Sequence, residues 1–155
     1  MFKNMFKKQF PKAEDAWTLA HAIIDTVREP LIVLDHDLRV IAASRSYYQT
    51  FKVDAGDTQS KLLHELGDGQ WDIPQLRLLL GKIVAEEGAM DNYEVEHDFP
   101  RIGPRVMLLY ARKVLYEKGS KHSTILLGIE DITKRRALEN EKDDLIRQKE
   151  VLLEE

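Results

Sequence analysis

Tyr110 and Arg112 alternate with Leu108 along RVMLLYARKV and so share one face of what reads as a strand. An arginine set among apolar residues needs a partner if it is buried, either a carboxylate or a bound anion. Glu130, in the next strand-like segment, can supply the carboxylate, and a plain cross-strand ion pair is the simpler reading. Of the five histidines, His36 falls in a turn, His122 in a loop, His21 on a helix and His64 in a leucine-rich segment, whereas His97 takes an apolar strand position. An inward imidazole can be an axial haem ligand or hydrogen-bond a bound molecule; more plainly, it is a core histidine satisfied by the backbone. No pair of histidines has the i, i+4 or cross-strand spacing that zinc needs, so no metal site is expected.

Other residues that resemble reactive groups do not assemble into a catalyst. Glu94, Glu96 and Asp98 fall on the polar face of an alternating strand, where carboxylates are solvated rather than paired for acid–base work. Gly67-Asp68-Gly69 follows no strand and lacks a Lys-Ser/Thr partner, so it is not a phosphate loop. The chain has no cysteine, which removes disulfides, thiolate metal sites and thiol nucleophiles and fits a cytoplasmic protein. No catalytic residue is assigned, since neither a nucleophile–base pair nor convergent carboxylates are visible.

The elements that must position these residues follow from periodicity. With 155 residues the chain holds one domain plus terminal extensions, and a net charge of −4 argues against a nucleic-acid surface. Residues 1–12 (MFKNMFKKQFPK) form a tail in which Phe2, Met5, Phe6 and Phe10 interleave with Lys3, Lys7 and Lys8, a weak membrane-surface pattern in a terminus expected to be largely unstructured. Residues 13–29 read as a flanking helix with Trp17, Ala20, Ile24 and Val27 on one face, stopped by Glu29-Pro30. LIVLD and LRVIAAS form a hairpin, and RSYYQTF a short helix carrying Tyr47, Tyr48 and Phe51.

Asp57 or Thr58 is placed to cap a second short helix with Leu62, Leu63 and Leu66 inward, stopped by Gly67. Asp72 and Pro74 open a helix with Leu76, Leu79, Leu80, Ile83 and Val84 on one side, closed by Gly88. NYEVEHDF then alternates, with Tyr93, Val95, His97 and Phe99 on one face. A final hairpin over residues 106–115 and 123–131 has residues 117–122 as its polar loop. Strands and helices segregated in this way predict an α+β domain with one antiparallel sheet and its helices on one face.

The last strand runs directly into a charged helix over residues 134–155, which makes Glu130, Asp131 and Thr133 the expected signal relay, with Ile132 anchoring the junction in the core. Thr133 is placed to cap that helix through its hydroxyl. Lys134, Arg135 and Arg136 then sit in the first turn, where the helix dipole disfavours cations. Leu138, Leu145 and Leu152 are spaced seven apart as a coiled-coil seam, opposed by Arg135, Lys142 and Lys149 at the other core positions; the plainer alternative is a solvated single helix.

The stretch from about Ile23 to Thr133, with LIVLDHDLRVIAAS, SYYQTF, the strand pattern and the terminal GIEDIT, resembles a PAS domain, the domain itself being expected over residues 30–133. The segments GDGQWDIPQLRLLL and YEVEHDFPRIGPRVMLLYAR are similar to the PAS sensor domains that precede bacterial histidine kinases of the HWE and related types, and LIRQKEVLLEE resembles their linker. The resemblance implies a five-stranded antiparallel sheet cupped over short helices and dimerisation through the flanking helices, here Trp17, Ile24, Leu138, Leu145 and Leu152. It also implies a signal-transducing module of a two-component histidine kinase, relaying a ligand or partner signal. The alternatives are a free-standing dimerisation protein without ligand, or a haem- or flavin-binding sensor. Phosphoacceptor and ATP-binding regions are absent from these residues, so the chain is a truncated sensor segment or a free-standing PAS protein. Cysteinyl-flavin photochemistry is excluded by the absence of cysteine. The candidate ligand-binding set is His97, Tyr110, Arg112, Tyr47 and Phe51; the cofactor, if any, is unknown.

Overall fold

Pro30 cannot continue a helix, and it separates the flanking helix from the sheet. The computed structural model describes residues 13–86, 88–114 and 123–154. The expected N-terminal tail and the polar loop over residues 117–122 therefore lie outside the described residues. Helix α1 (Ala13–Thr26) carries Glu14 and Asp15 in its first turn, where the dipole favours them, and ends ahead of the proline. Strands β1 (Leu31–Leu34) and β2 (Val40–Ala43) follow. Their connection is set by Asp35, whose Oδ1 accepts the backbone N–H groups of Asp37 and Arg39 at 2.8 and 2.9 Å. Ser44 caps helix α2 (Arg45–Phe51), its Oγ accepting the Tyr47 N–H at 3.1 Å.

The second short helix expected after Asp57 does not form. Asp54 Oδ1 accepts the Asp57 N–H and the Thr58 hydroxyl donates to the Asp54 carbonyl, which closes a turn instead. The chain beyond it pairs with the β2 arm: Val40 N–H donates to the Lys61 carbonyl, Ser60 N–H to Val40 and Leu63 N–H to Leu38. Only a 3-10 turn over Leu63–Glu65 remains helical, and it still buries Leu63 and, just beyond, Leu66. Long-range backbone pairing has overridden local helical periodicity.

Helix α3 (Pro74–Ala85) starts one residue later than Asp72 implies: Ile73 is its N-cap, without a side-chain bond, and Pro74 occupies the first turn. Asp72 bonds Arg77 at 3.4 Å instead. The helix ends at Ala85 with Glu86 extended, so Gly88 belongs to the connection rather than to the helix stop. Strand β3 (Ala89–Phe99) pairs with β4 (Gly103–Val114), with a register shift between Met90 and Tyr93 where Asn92 takes φ 57°. β4 pairs with β5 (Thr124–Asp131), which continues into helix α4 (Thr133–Glu154).

The five strands lie in the order β2-β1-β5-β4-β3, all neighbours antiparallel. The inner face carries Ile32 and Leu34, Ile125, Leu127 and Ile129, Met107, Leu109 and Ala111, and Val95 and Phe99, all buried. Tyr47 and Phe51 of α2, Leu63, Leu66 and Trp71 of the connector, and Leu76, Leu80 and Ile83 of α3 close over them in one core. Each fully buried aliphatic side chain contributes about 1.5–3 kcal/mol of transfer free energy, largely offset by chain entropy.

Candidate functional site: the strand-to-helix junction, the helix-side cleft and the outer face

Asp131 ends β5 and starts the hydrogen bonding of α4. Its Oδ1 accepts both the Thr133 N–H at 2.9 Å and the Thr133 hydroxyl at 2.6 Å, while Oδ2 pairs with Arg105 of β4 at 3.1 Å. The Thr133 hydroxyl is therefore not the helix cap expected from its position. Thr133 is already helical, and its Oγ1 points to β4, accepting the Val106 N–H at 2.8 Å; the cap is the Asp131 carboxylate. Ile132 is buried at the joint, and its N–H donates to the Val106 carbonyl at 2.9 Å. Partial burial by itself raises the Asp131 carboxyl, but the Thr133 hydroxyl and N–H and the Arg105 guanidinium outweigh it and hold the group below the usual carboxylate range.

Two of the cations of the first α4 turn, Arg135 and Arg136, are compensated by the sheet. Arg135 pairs with Glu130 at 3.4 Å, and Arg136 bonds Glu94 of β3. Glu94 and Glu130 both stand opposite Leu108 of β4, on the outer face, so α4 sets off with its first turn tied to that face. Glu130 is thus committed to the helix rather than to Arg112, which lies opposite Leu126 and Ala89.

Tyr110 and Arg112 do not line a cavity beneath the helices. Met107, Leu109 and Ala111 are the buried inner residues of β4, which puts Leu108, Tyr110 and Arg112 on the other side, with Arg112 exposed. Tyr110 lies across Gly128 of β5, and a Cβ built at Gly128 would collide with the Tyr110 ring. Its hydroxyl donates to Glu29, just ahead of β1. Burial and that carboxylate push the Tyr110 phenol up to about 12, so it remains a protonated donor.

His97 does face the helix side, as its alternation with Val95 and Phe99 requires, but it sits half-buried at the rim. Its Nε2 lies 3.1 Å from both carboxylate oxygens of Asp68, and its ring is 5.0 Å from that of Phe99. Asp68 in turn lines a cleft of about 350 Å³ between the end of α2, the connector and the β3–β4 turn, to which Tyr47, Phe51, Gln70 and Arg101 also contribute. Tyr47 and Phe51 are therefore together at one cleft, with His97 behind its rim and Tyr110 and Arg112 on the opposite side of the sheet. Burial drives the Tyr47 phenol up to about 12, although the Trp71 indole beside it acts the other way, so it too stays a hydrogen-bond donor.

The interior beneath the helices is filled by rings: Phe51–Trp71, Phe51–Phe99 and Trp71–Phe99 centroids lie 5.7, 5.6 and 5.4 Å apart. Nε2 of His97, the histidine on this side of the sheet, is engaged by Asp68. At the β1–β2 turn, donor atoms of Asp35, His36 and Asp37 lie within 4.8 Å of one another, closer than the spacing of histidines suggested. Asp35 Oδ1 is occupied by the turn's own N–H groups, and His36 pairs with Asp37 at 3.3 Å.

The candidate contact residues are outward. Trp17 is 65% exposed, its ring tilted against that of His21 with centroids 4.0 Å apart, whereas Ile24 is half-buried. Ile23 and Val27 are exposed as well and border a shallow apolar groove with Leu19, Ala22 and Thr26. Leu138, Leu145 and Leu152 are 58%, 57% and 71% exposed along α4. Arg105, Glu29, Glu94 and Trp71 carry much of this arrangement, yet sequence reasoning missed their roles; the pairing of charges across strands was the available signal for Arg105. No helix among the described residues is long and apolar enough to cross a membrane.

The PAS fold family profile matches residues 24–137. Among solved structures, the PAS domain of BvgS from Bordetella pertussis is similar, at TM-score 0.55 and 22% identity over 86% of this chain and 98% of that one. The PAS domain of nitrogen regulation protein NR(II) from Vibrio parahaemolyticus gives TM-score 0.54 and 17% identity over 74% of this chain and 98% of that one. The LOV protein of Rhodobacter sphaeroides gives TM-score 0.63 and 13% identity, over 78% and 69%. No curated protein sequence matches the chain.

Proposed function

The chain belongs to the PAS fold family, and from that premise we propose that it is the signal-input and dimerisation module of a two-component histidine kinase. In this reading a small molecule held in the cleft against Tyr47 and Phe51, or a partner protein, perturbs the sheet. The junction of Asp131, Thr133 and Arg105 passes the change to α4, which continues into the kinase. The observation that carries the reading is the shared set of bonds at that junction: the cap of α4 is made of groups on β4 and β5, so the helix cannot keep its geometry when the strands move. A similar PAS structure comes from a two-component sensor histidine kinase, which favours a kinase as the output. Homodimerisation is supported by the exposed Trp17 stripe and the exposed Leu138, Leu145 and Leu152 seam. In this reading the module lies in the cytoplasm, beside kinase domains that draw on ATP.

The test is a chimera in which residues 1–155 are joined in heptad register to the phosphoacceptor and ATP-binding parts of a histidine kinase. Autophosphorylation is expected to differ between wild type and Asp131→Asn at equal, folded protein concentration. Equal phosphorylation in both would remove the junction from the output path. Native mass spectrometry of the same preparation reads any retained small molecule.

A further inference from the structure

Strand β4 is tied near one end to the start of α4 and towards the other to the joint that follows α1. Near one end, Val106 and Arg105 hold the first residues of α4 through Thr133 and Asp131. Towards the other, the Tyr110 hydroxyl holds Glu29, in the joint between α1 and β1. That joint is held elsewhere by groups of different elements: Ser46 Oγ donates to the Arg28 carbonyl, and Ile129 N–H donates to the Pro30 carbonyl at 2.9 Å. Tyr110 can reach Glu29 because Gly128 lacks a side chain. The ring lies flat across the central strand β5, which sits between β4 and β1, and a Cβ there would block it.

We propose that Tyr110 couples the two flanking helices mechanically: displacement of α1 is transmitted through the Tyr110–Glu29 bond to β4, and along β4 to the α4 cap, with no ligand in the cleft required. The physical basis is the stiffness of a strand paired on both sides. β4 is hydrogen-bonded to β3 and β5 over most of its length, so a shift imposed at Tyr110 is not absorbed before Val106. α1 then acts as a second input to the α4 cap, separate from the cleft. The inference concerns the chain's own mechanics and stands whether the output is a kinase or another protein.

Coupling between two sites is reciprocal, which makes the test two-sided. Tyr110→Phe keeps the ring across Gly128 and removes only the hydroxyl. Amide hydrogen exchange of the full chain is expected to accelerate several-fold both in the last turn of α1 and at residues 132–136. Acceleration confined to α1, or none at all, overturns the proposal, because Tyr110 is then a local anchor. In the reverse direction, Arg105→Gln is expected to accelerate exchange in the last turn of α1 in the wild-type background but not in Tyr110→Phe. An equal effect in both backgrounds, or no effect of Arg105→Gln on α1, also overturns it. Both positions are partly exposed, and circular dichroism identifies any variant whose exchange reflects global unfolding; Glu29→Gln and Asp131→Asn then take the place of that variant in the same comparison.

Discussion

Arg105 of β4 holds Asp131 at the end of β5 across 3.1 Å, and the same carboxylate accepts the first N–H of α4. One side chain thus belongs at once to a strand pair and to a helix cap. Asp131→Asn keeps an acceptor but loses the charge, and Asp131→Ala loses both; the alanine variant is expected to cost about 1 kcal/mol of unfolding free energy, as helix-cap removals do. Urea unfolding curves check the value.

The sign of the pH dependence follows from the depressed carboxyl. Its contribution to stability is fully present above the unfolded value of 3.8 and is lost as pH falls through the lower folded value. The stability gap between wild type and Asp131→Asn is therefore expected to be widest near neutrality and to shrink below about pH 4. A gap that grows on acidification contradicts this assignment.

Trp71 is 0% exposed and touches both Phe51 and Phe99. Trp71→Ala is expected to destabilise the domain by about 3–5 kcal/mol, and Trp71→Phe by clearly less. Denaturation midpoints with an unchanged slope would distinguish lost packing from a change in the unfolded state.

Gly128→Ala meets the Tyr110 ring, so the single substitution is expected to cost about 1–3 kcal/mol by overpacking. Tyr110→Ala should relieve most of that cost in the double variant. Additive losses would show that the ring is not what Gly128 accommodates.

Much of the fold was legible because one face of each strand is apolar. Tyr93, Val95, His97 and Phe99 showed their phase plainly, since charged residues alternate with them. β4 hid its phase: Val106, Leu108 and Tyr110 are as apolar as Met107, Leu109 and Ala111, and a slip of one residue exchanges the faces. That is why Tyr110 and Arg112 were grouped from the sequence with Tyr47 and Phe51 as ligand-binding candidates, yet stand on the opposite side of the sheet from them. The connector after α2 was illegible for another reason, since its conformation depends on pairing with Val40, some twenty residues earlier in the chain. The Asp131-Ile132-Thr133 exit was visible as a pattern, but its Arg105 partner came from another strand, and nothing local marked it.

The proposed dimer uses the exposed stripe of α1. Trp17→Glu, alone or with Ile23→Glu, is expected to shift sedimentation from dimer towards monomer. A dimer that survives both changes places the interface elsewhere.

The most direct test of the relay uses the absence of native cysteine, which allows a single label per chain. With a spin label at Lys142→Cys on α4, pulsed dipolar spectroscopy reads the distance between the two copies of the helix. Wild type should give one defined inter-protomer distance, and Asp131→Asn and Arg105→Gln should shift or broaden it while circular dichroism stays unchanged. The same distribution in all three proteins would contradict the claim that the junction sets the geometry of the output helix.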